Sequence, residues 1–344
     1  MVGKSTRFPN LRPKWLLTHP LSGFMGTEAL RGLNLDTFST VYFVTLKEHE
    51  VEYQFMDAFV NEVRKMNDSI KIEFVLLQEQ TRSQPETVYQ CIKQMNIQGP
   101  ILVKDSDNYF EATVTDESNC VCYFDLNDGD QFNARNKSYI TFDINGFINN
   151  IVEKKIISST FSVGGYGFAD AQQFCEYFEK LNHLTSEIYM SNIIFEMLLH
   201  NERFVGIKTQ SYEDWGTLQE WNRYKGTFKT LFVDLDGVLI KNTSVYMKPF
   251  VGSGEPLIEN IKYMQELHSK GRTKVILVTA RPSSHRELTE EELTRHNIPY
   301  DLLIMDLPHS QRIIINDFAS SNPFPSCNAI NLERNSDQLR DYLL

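Results

Sequence analysis

Two aspartates stand one residue apart at the end of an apolar stretch in the second half of the chain. The segment Leu231–Ile240 reads LFVDLDGVLI, and its apolar residues suit a buried strand followed by Asp234, Asp236 and the turn-forming Gly237. Ligands of open α/β sheets bind at the carboxyl ends of the strands. Two carboxylates at this spacing can share a Mg²⁺ while one of them attacks an electrophile, so the segment predicts a phosphate-handling site.

Two more apolar strands are predicted to deliver side chains to the same sheet edge. One is Lys274–Thr279, which ends in the hydroxyl of Thr279, and the other is Ile313–Ile315, which is followed by Asn316 and Asp317. The alternative is that the two aspartates of the first strand merely form a turn.

A second candidate site begins at the third residue of the chain. The opening segment GKSTRFPNLRPK is small, polar and basic, and a loop of this kind lets backbone N–H groups approach phosphates. Gly3 and Ser5 are the candidate loop contacts, and Arg7 and Lys14 add positive charge where a triphosphate would bind. A basic N-terminus that is only disordered remains the alternative.

Further candidates follow along the first two thirds of the chain. Asp105 and Asp107 follow an apolar strand and are predicted metal ligands, although an exposed turn would have the same pattern. A glycine-rich turn, Val163–Phe168, can bring backbone close to a ligand. The other candidates are Glu153-Lys154 before a predicted strand, Gly164 and Gly165 in the turn, Glu187 at the start of a helix, and Asp214, whose segment Asp214–Thr217 could instead be a helix cap.

Strand-like and helix-like segments alternate before these candidates, as in a mostly parallel α/β sheet. The predicted strands are Thr40–Leu46, Ile70–Leu77 and Pro100–Val103, with helices Tyr53–Met66 and Pro85–Met95 between them. A mixed region follows, with predicted strands Cys120–Phe124, Ser138–Asp143 and Lys155–Ile157 and helices Ala169–Asn182 and Ser186–Leu199.

The pattern restarts near residue 225, which we take as a domain boundary. Beyond it, strands are predicted at Phe228–Val233 and Leu302–Met305 in addition to the two named above, with helices at Pro256–Ser269 and Thr289–His296. A length of 344 residues suits two domains, residues 1–225 and 226–344.

The net charge and the cysteine spacing exclude some classes of protein. A net charge of −11 argues against a general binder of nucleic acid or of anionic membranes, but it does not argue against small anionic substrates. The five cysteines lack the spacing of a metal site and are expected to be reduced thiols in a cytoplasmic protein. The sequence contains neither an apolar run of about 18 residues nor a signal-peptide core.

In their order and spacing, the motifs of residues 1–225 resemble the nucleotidyltransferases that make nucleotide-activated sugars and polyols, the sugar-phosphate pyrophosphorylase family. The resemblance implies a GT-A-like Rossmannoid domain with a mixed sheet, Mg²⁺ as cofactor, and a nucleoside triphosphate and a sugar or polyol phosphate as substrates. It implies roles for the following residues: Arg7 and Lys14 at the triphosphate, Asp107 and Asp214 on catalytic Mg²⁺, Lys154 at the sugar phosphate, and Gly165 and Glu187 near the sugar.

The sequence departs from this family at its beginning. The family places a buried strand before the glycine-containing loop, whereas here the loop starts at residue 3. We therefore expect that the first strand is missing or replaced, with lower stability or weak transferase activity. Asp105-Ser-Asp107 also resembles the Asp-x-Asp motif of glycosyltransferases with the same fold, which is an open alternative.

Residues 226–344 resemble the haloacid dehalogenase superfamily of phosphatases, most closely small enzymes of capsule and surface-polysaccharide pathways. The resemblance implies that Asp234 forms an aspartyl-phosphate, Asp236 acts as general acid and then base, and Thr279 binds the phosphoryl oxygens. Asn316 and Asp317, together with the two strand-end aspartates, are the implied Mg²⁺ ligands.

The superfamily's basic residue, usually lysine, is absent from this segment after Lys274, and Arg312 is the predicted substitute. The other candidates for this role are Arg281, Arg286 and His309. The spacing leaves no room for a cap domain, so a small capless Rossmannoid domain is predicted.

Together the two resemblances predict a Mg²⁺-dependent bifunctional enzyme that supplies an activated sugar or polyol. Three alternatives stay open: a protein with only one active domain, a glycosyltransferase, and a non-catalytic regulator that binds nucleotide-sugars. The sequence does not reveal the nucleotide, the sugar or the oligomeric state.

Overall fold

The computed structural model divides the chain into two compact units, residues 1–224 and residues 225–344. It describes residues 1–2, 8, 11–21, 23–115, 117–129, 134–183, 188–242, 254–317 and 327–343. Each unit combines helices and strands around its own apolar core, and is therefore a mixed α/β structure.

The first unit is built around a mixed six-stranded sheet with strand order β3-β8-β5-β9-β7-β6. A parallel pair, β1–β2, and an antiparallel pair, β4–β10, complete its strands. Their bounds are β1 Thr40–Leu46, β2 Lys71–Leu77, β3 Ile101–Lys104, β4 Asn108–Phe110, β5 Cys120–Asp125, β6 Ser138–Phe142, β7 Phe147–Glu153, β8 Thr160–Phe168, β9 Phe204–Lys208 and β10 Tyr212–Asp214.

Helices cover these strands with apolar faces. The clearest case is α5, in which Ala171, Phe174, Cys175 and Phe178 recur at helical spacing and are all buried. It begins where the Asp170 side chain accepts a hydrogen bond from the backbone N–H of residue 172. The helices are α1 Met25–Glu28, α2 Lys47–Tyr53, α3 Met56–Arg64, α4 Gln84–Met95, α5 Ala171–Asn182, α6 Met190–Leu199 and α7 Leu218–Gly226.

A cavity of about 1640 Å³ lies inside the first unit along two strand edges. Five consecutive residues of β1, Thr40–Val44, line it, and so do the consecutive residues 101–105 of β3 and its loop. A cavity over a sheet face would touch alternate residues, because side chains alternate between faces, so this one runs beside the strands. Within the described residues, β1–β2 is accordingly a sheet separate from the six-stranded one.

The second unit holds a three-stranded parallel sheet with strand order β11-β12-β13. Its elements are β11 Lys229–Asp234, α8 Ile258–Ser269, β12 Thr273–Val278, α9 Arg286–Arg295 and β13 Leu302–Ile304. Since parallel strands end at one edge, β11 and β12 bring their carboxyl-terminal residues side by side. In the described part of the chain, none of the helices has the length and apolar character needed to cross a membrane.

Two predicted elements before the boundary differ in the structure. The helix predicted at Tyr53–Met66 forms as α3, from Met56 to Arg64, and begins later than predicted because Gln54 adopts a left-handed conformation with φ 46° that ends the separate helix α2. The strand predicted at Lys155–Ile157 is absent; the preceding residues form β7, and the strand ends where Lys154 turns to φ 55°. Glu153 therefore closes a strand instead of preceding one.

Two further predictions were wrong for reasons of packing. Val163–Phe168 is not a turn but the last six of the nine residues of β8, which lies between β3 and β5. The strand predicted at Ile313–Ile315 does not form, and its three isoleucines are 74%, 51% and 92% exposed. Residues without an apolar partner on either face gain nothing from a strand conformation, so Asn316 and Asp317 do not follow a strand end.

Candidate functional site

The loop between β3 and β4 carries Asp105 and Asp107, and the ammonium of Lys104 ties its two ends together. Lys104 Nζ donates hydrogen bonds to the backbone carbonyls of Asp105 at 2.9 Å and Asn108 at 3.0 Å, and also to the Asn108 side chain. It lies 4.4 Å from the centroid of the Phe110 ring. Burial lowers the pKa of Lys104 to about 8. The residue before the carboxylates thus fixes the loop that presents them.

The two carboxylates of this loop have different surroundings. Burial, and then the charge of Asp107, raise the pKa of Asp105 to about 6, and Asp105 accepts a hydrogen bond from Gln84. Burial acts on Asp107 in the same direction, but the ammonium groups of Lys14, Lys137 and Lys104, of which Lys14 has the largest effect, together hold the pKa of Asp107 below its ordinary value. Asp107 therefore ionises more readily than Asp105, and it is the better suited of the two to bind a cation or to neutralise positive charge.

Asp214 arrives beside this loop from the other end of the sequence. Strand β10 is antiparallel to β4, so that Asp214 lies opposite Asn108. The backbone N–H of Trp215 donates to the Asp107 carbonyl at 2.9 Å, which joins the two segments directly. The Asp214 side chain accepts a hydrogen bond from the Gly216 N–H at 2.9 Å. The fold thus gathers Asp107 and Asp214, which are distant in sequence.

Lys137 forms an ion pair with Asp214. Its ammonium also hydrogen-bonds the Tyr212 hydroxyl and lies 4.9 Å from the centroid of the Tyr212 ring. Only 13% of the Lys137 side chain and 17% of the Asp214 side chain are exposed, so water screens this pair weakly. Two of the three predicted metal-binding carboxylates of this unit, Asp107 and Asp214, are therefore paired with lysines in the structure.

The donor set of this site fits Mg²⁺. Within the described residues no group of three or more His, Cys, Asp or Glu side chains is arranged to hold a metal ion. Mg²⁺ does not require such a cage, since it is commonly held by one or two carboxylates together with water and substrate phosphates. Asp107 and Asp214, on neighbouring segments, supply that number of carboxylates.

A cavity of about 510 Å³ collects most of the candidates that the structure describes in the first unit. Its volume is in the range of small-molecule sites. Beside it, the Lys154 ammonium donates to the Tyr189 hydroxyl at 2.8 Å, and the Glu153 carboxylate accepts from Ser138 and from Ser191. The lining includes Asp105, Asp107, Lys137, Glu153, Gly164 and Asp214.

The two predicted glycines lie where β8 passes closest to its neighbours. Gly164 has φ +82°, and a Cβ there would lie 2.2 Å from the Asp105 Oδ2 atom. A Cβ at Gly165 would lie 2.6 Å from the Phe110 ring. The glycines thus allow close packing of β8 against the carboxylate loop, and the register shift between Cys122 and the next residue of β5 falls opposite them. Four other predicted site residues, Gly3, Ser5, Arg7 and Glu187, lie outside the described residues.

In the second unit, Asp234 ends β11 and its carboxylate lies at the carboxyl edge of the sheet. Arg312 Nη2 donates to Asp234 Oδ1 at 3.3 Å, as does the Leu235 N–H at 3.0 Å. Burial raises the pKa of Asp234, against the opposing effect of Arg312. Arg312, the predicted substitute for the missing lysine, therefore does contact this carboxylate.

Asp236 has a different cation, Arg281, in a two-bond contact. Arg281 Nε and Nη2 donate to the two Asp236 oxygens at 2.9 Å and 2.7 Å, and Thr279 Oγ1 donates to Asp236 at 3.3 Å. On its other side, Arg281 Nη1 donates to Glu292 Oε2 at 2.6 Å. Glu292 and Thr279 are fully buried, and Arg281 is 3% exposed. The guanidinium is fixed from both sides and fixes Asp236 in turn.

Sequence reasoning missed several residues of these sites. Lys137 precedes a short strand and has no motif around it, and only the fold brings it to Asp214. Glu292 has the sequence signal of an exposed helix, because charged residues surround it in α9. Lys104 could have been predicted from the sequence, since a lysine at the end of an apolar strand and before two aspartates is placed to form an ion pair.

Comparisons with solved structures show the fold of a large part of the chain. A nucleoside-diphosphate-sugar pyrophosphorylase from Vibrio cholerae RC9 is 17% identical, with a TM-score of 0.52, over 65% of this chain and 96% of that chain. A putative glucose-1-phosphate thymidylyltransferase from Bacillus anthracis is 17% identical, with a TM-score of 0.51, over 64% of this chain and 89% of that chain. No protein-family model and no curated protein matches the sequence. At this identity the likeness shows a shared fold.

Proposed function

We propose that the first unit transfers a nucleotidyl group from a nucleoside triphosphate to a sugar or polyol phosphate and releases pyrophosphate. The observation that carries this proposal is that Asp107, Asp214 and Lys137 line one cavity, with Lys14 paired to Asp107. The fold shared with a nucleoside-diphosphate-sugar pyrophosphorylase supports it by analogy.

The reaction needs positioning and charge neutralisation more than covalent chemistry by the protein. A phosphate oxygen of the sugar or polyol phosphate attacks the α-phosphorus, a new P–O bond forms, and the bond from that phosphorus to the β-phosphate bridging oxygen breaks. Lys14 and Lys137 would balance the negative charge of the phosphates, and Lys154 would contact the sugar phosphate. Bound Mg²⁺, held by Asp107 and Asp214, would supply charge neutralisation at the phosphates.

The test incubates the protein with Mg²⁺, each of CTP, UTP, dTTP, ATP and GTP, and a panel of sugar and polyol phosphates, and measures pyrophosphate. We expect pyrophosphate with one pair of substrates and a loss of at least about 100-fold in Asp107→Asn. Asp128→Asn is the matched control, because Asp128 is 43% exposed and pairs with Lys208 away from the cavity. Equal activity in the wild type and Asp107→Asn would overturn the assignment.

We further propose that the second unit is a capless haloacid dehalogenase-like domain that hydrolyses a phosphomonoester through an aspartyl-phosphate. The specific observation in favour is that Asp234 and Thr279 lie at the ends of adjacent parallel strands, and that Thr279 also donates a hydrogen bond to Asp236. Ligands of such sheets bind at this edge.

In this reaction an Asp234 oxygen attacks the phosphorus and the alcohol oxygen leaves with a proton from Asp236. Water, deprotonated by Asp236, then attacks the phosphoryl group and frees Asp234. Arg312 would hold the phosphoryl oxygens beside the nucleophile, and Thr279 would bind the same oxygens. Bound Mg²⁺ would offset the charge of Asp234 and the phosphate, with Asn316 and Asp317 as further proposed ligands.

Release of inorganic phosphate tests this second activity. We expect Asp234→Asn to remove it and to leave pyrophosphate release unchanged, while Asp107→Asn does the reverse. Asp341→Asn, at an exposed position of the same unit, is the matched control. The proposal of two sites fails if both variants lose one shared activity.

The two activities are compatible when they act on different phosphates, since a phosphatase acting on the transferase substrate would destroy it. A bisphosphate trimmed before nucleotidyl transfer satisfies this condition. We propose synthesis of a precursor for a surface polysaccharide as the setting, on the resemblance of residues 226–344 to phosphatases of such pathways.

A further inference from the structure

Lys137 lies just before β6, where the backbone carbonyl of Lys137 accepts a hydrogen bond from the Lys154 N–H at 2.9 Å. This bond fixes the start of its side chain on the wall of the smaller cavity. The ammonium extends to Asp214 and to the Tyr212 hydroxyl. Its placement therefore depends on strand pairing that also positions the Glu153-Lys154 segment.

Two aromatic residues lie near the ammonium of Lys137. The Tyr212 and Phe161 ring centroids lie 4.9 Å and 5.8 Å from Lys137 Nζ. Phe161 is fully buried and Tyr212 is 7% exposed. A cation that hydrogen-bonds a hydroxyl and pairs with a carboxylate, with little water to screen the pair, is held by two favourable interactions at once.

The second carboxylate of the site, Asp107, lies in the same cavity. Lys137 and Asp214 both line the cavity that contains Asp107. A divalent cation bound between Asp107 and Asp214 would therefore meet a positive charge already in place.

We propose that Lys137 is a resident cation of the Asp107–Asp214 site, which a divalent cation must displace from Asp214 and which then binds the phosphates of the substrate. This inference rests on the proposed nucleotidyl transfer for the nature of the substrate. It assigns two roles to Lys137, which regulates the binding of the divalent cation and positions phosphate. A single substitution of Lys137 separates these roles, because it should affect the two kinds of binding in opposite directions.

Displacement has a direct consequence for metal affinity. Asp214 accepts either the ammonium or the metal, so free protein binds a divalent cation more weakly than its carboxylates alone would allow. Removing the ammonium and keeping the side chain's length should therefore tighten binding of the metal. The opposite holds for a phosphate ligand, which loses a cation on the cavity wall when Lys137 is replaced.

The first arm of the test measures Mn²⁺ binding to the full chain by electron paramagnetic resonance, without substrate. We expect Lys137→Met to bind Mn²⁺ about tenfold more tightly than the wild type, which equals about 1.4 kcal/mol. Lys208→Met, which removes the same charge from a surface pair with Asp128, should leave the affinity unchanged. Adding Asp214→Asn to Lys137→Met should abolish the gain.

The second arm measures inorganic pyrophosphate binding by calorimetry at saturating Mn²⁺. We expect Lys137→Met to bind it about tenfold more weakly than the wild type. If Lys137 had only a structural role, Lys137→Met would weaken the binding of both ligands or of neither. Either result would overturn the proposal. Unchanged or weaker Mn²⁺ binding in a folded Lys137→Met protein would also overturn it, and Lys137→Gln repeats the test if the methionine variant unfolds.

Neither arm depends on turnover. If the Mn²⁺ arm gives the expected result and no nucleoside triphosphate yields pyrophosphate, the proposed function fails while the cation role stands. If pyrophosphate is released and Mn²⁺ affinity does not change, the cation role fails alone.

Discussion

Asp105 and Asp107 are two positions apart in the sequence, and the pKa values of their carboxyl groups differ. Asp105 faces Gln84 and has a pKa raised to about 6, whereas Lys14, with Lys137 and Lys104, holds the pKa of Asp107 below its ordinary value. The division of roles follows from the neighbours of each side chain and not from its type. Asp107 is the residue suited to a cation, and Asp105 to a hydrogen-bonded place in the loop.

The lysine that ties this loop gives a prediction at the same scale. Lys104→Met leaves the carbonyls of Asp105 and Asn108 without their donor, so we expect the free energy of unfolding to fall by about 2 kcal/mol. Denaturant unfolding measures the change. Lys93→Met, at an exposed ion pair on α4, should cost less than about 0.5 kcal/mol. Equal costs for the two variants would contradict the role given to Lys104.

Arg281 gives a prediction for the second unit. Arg281→Met leaves the fully buried Glu292 without its cation, so we expect a loss of about 3 kcal/mol in unfolding free energy. Because the cost comes from the orphaned charge, the double variant Arg281→Met/Glu292→Met should regain part of that loss. Thermal and denaturant unfolding of both variants provide the comparison. A double variant less stable than the single one would show that the cost has another origin.

The sequence could predict those site residues that stand at the ends of apolar strands. Asp234 and Thr279 are placed at or directly after strand ends in the structure, because an apolar run followed by a polar residue marks such an end. Lys137 and Glu292 were not predictable, since their partners lie far away in the sequence or across a helix and a strand. No local pattern distinguishes them from surface charges.

At the scale of elements, short strand pairings decide which side chains meet. The pair β4–β10 has only three residues in each strand, yet it brings the segments of Asp107 and Asp214 together. The long strand β8 pairs with β3 and β5 and carries the bulge next to Asp105. The site of the first unit thus depends on sheet edges and irregularities more than on the regular centre of the sheet.

Gly164 tests the role of this bulge. Gly164→Ala combines a positive φ with a Cβ 2.2 Å from Asp105, so we expect it to lower the unfolding free energy by about 3 kcal/mol. Gly146→Ala is a matched control, because its φ is +83° and a Cβ there meets nothing within 4 Å. The control should cost only about 1 kcal/mol. Similar costs would mean that backbone strain alone, and not contact with the carboxylate loop, requires glycine at 164.

Strands and helices with a regular apolar pattern were predictable, and irregular ones were not. Thr40–Leu46 forms a strand as predicted, and all of Pro85–Met95 lies in α4. The run at Ile313–Ile315 has the composition of a strand but remains exposed, because β propensity is realised only where a neighbour covers the strand. The glycines of β8 suggested a turn, whereas Gly165 and Gly167 pair with strands on both sides and Gly164 lies in the bulge.

At the scale of the whole molecule, we expect the two units to unfold in two separable transitions, because they have separate cores. Each unit has its own cluster of buried apolar residues. We therefore expect calorimetry to resolve two unfolding transitions, one lowered by Gly164→Ala and the other by Arg281→Met. A single transition that both variants lower equally would show that the units unfold as one.

Nucleotidyl transfer by the first unit is the central claim, and the fate of the α-phosphate tests it most directly. The measurement follows ³²P from the α-position of the nucleoside triphosphate in the presence of Mg²⁺ and a sugar or polyol phosphate. We predict that the label enters a nucleotide-sugar or nucleotide-polyol in amounts equal to the pyrophosphate released, and that Asp107→Asn prevents both. Label that stays in the triphosphate or appears only in nucleoside mono- or diphosphate, across all substrate pairs, would contradict the claim.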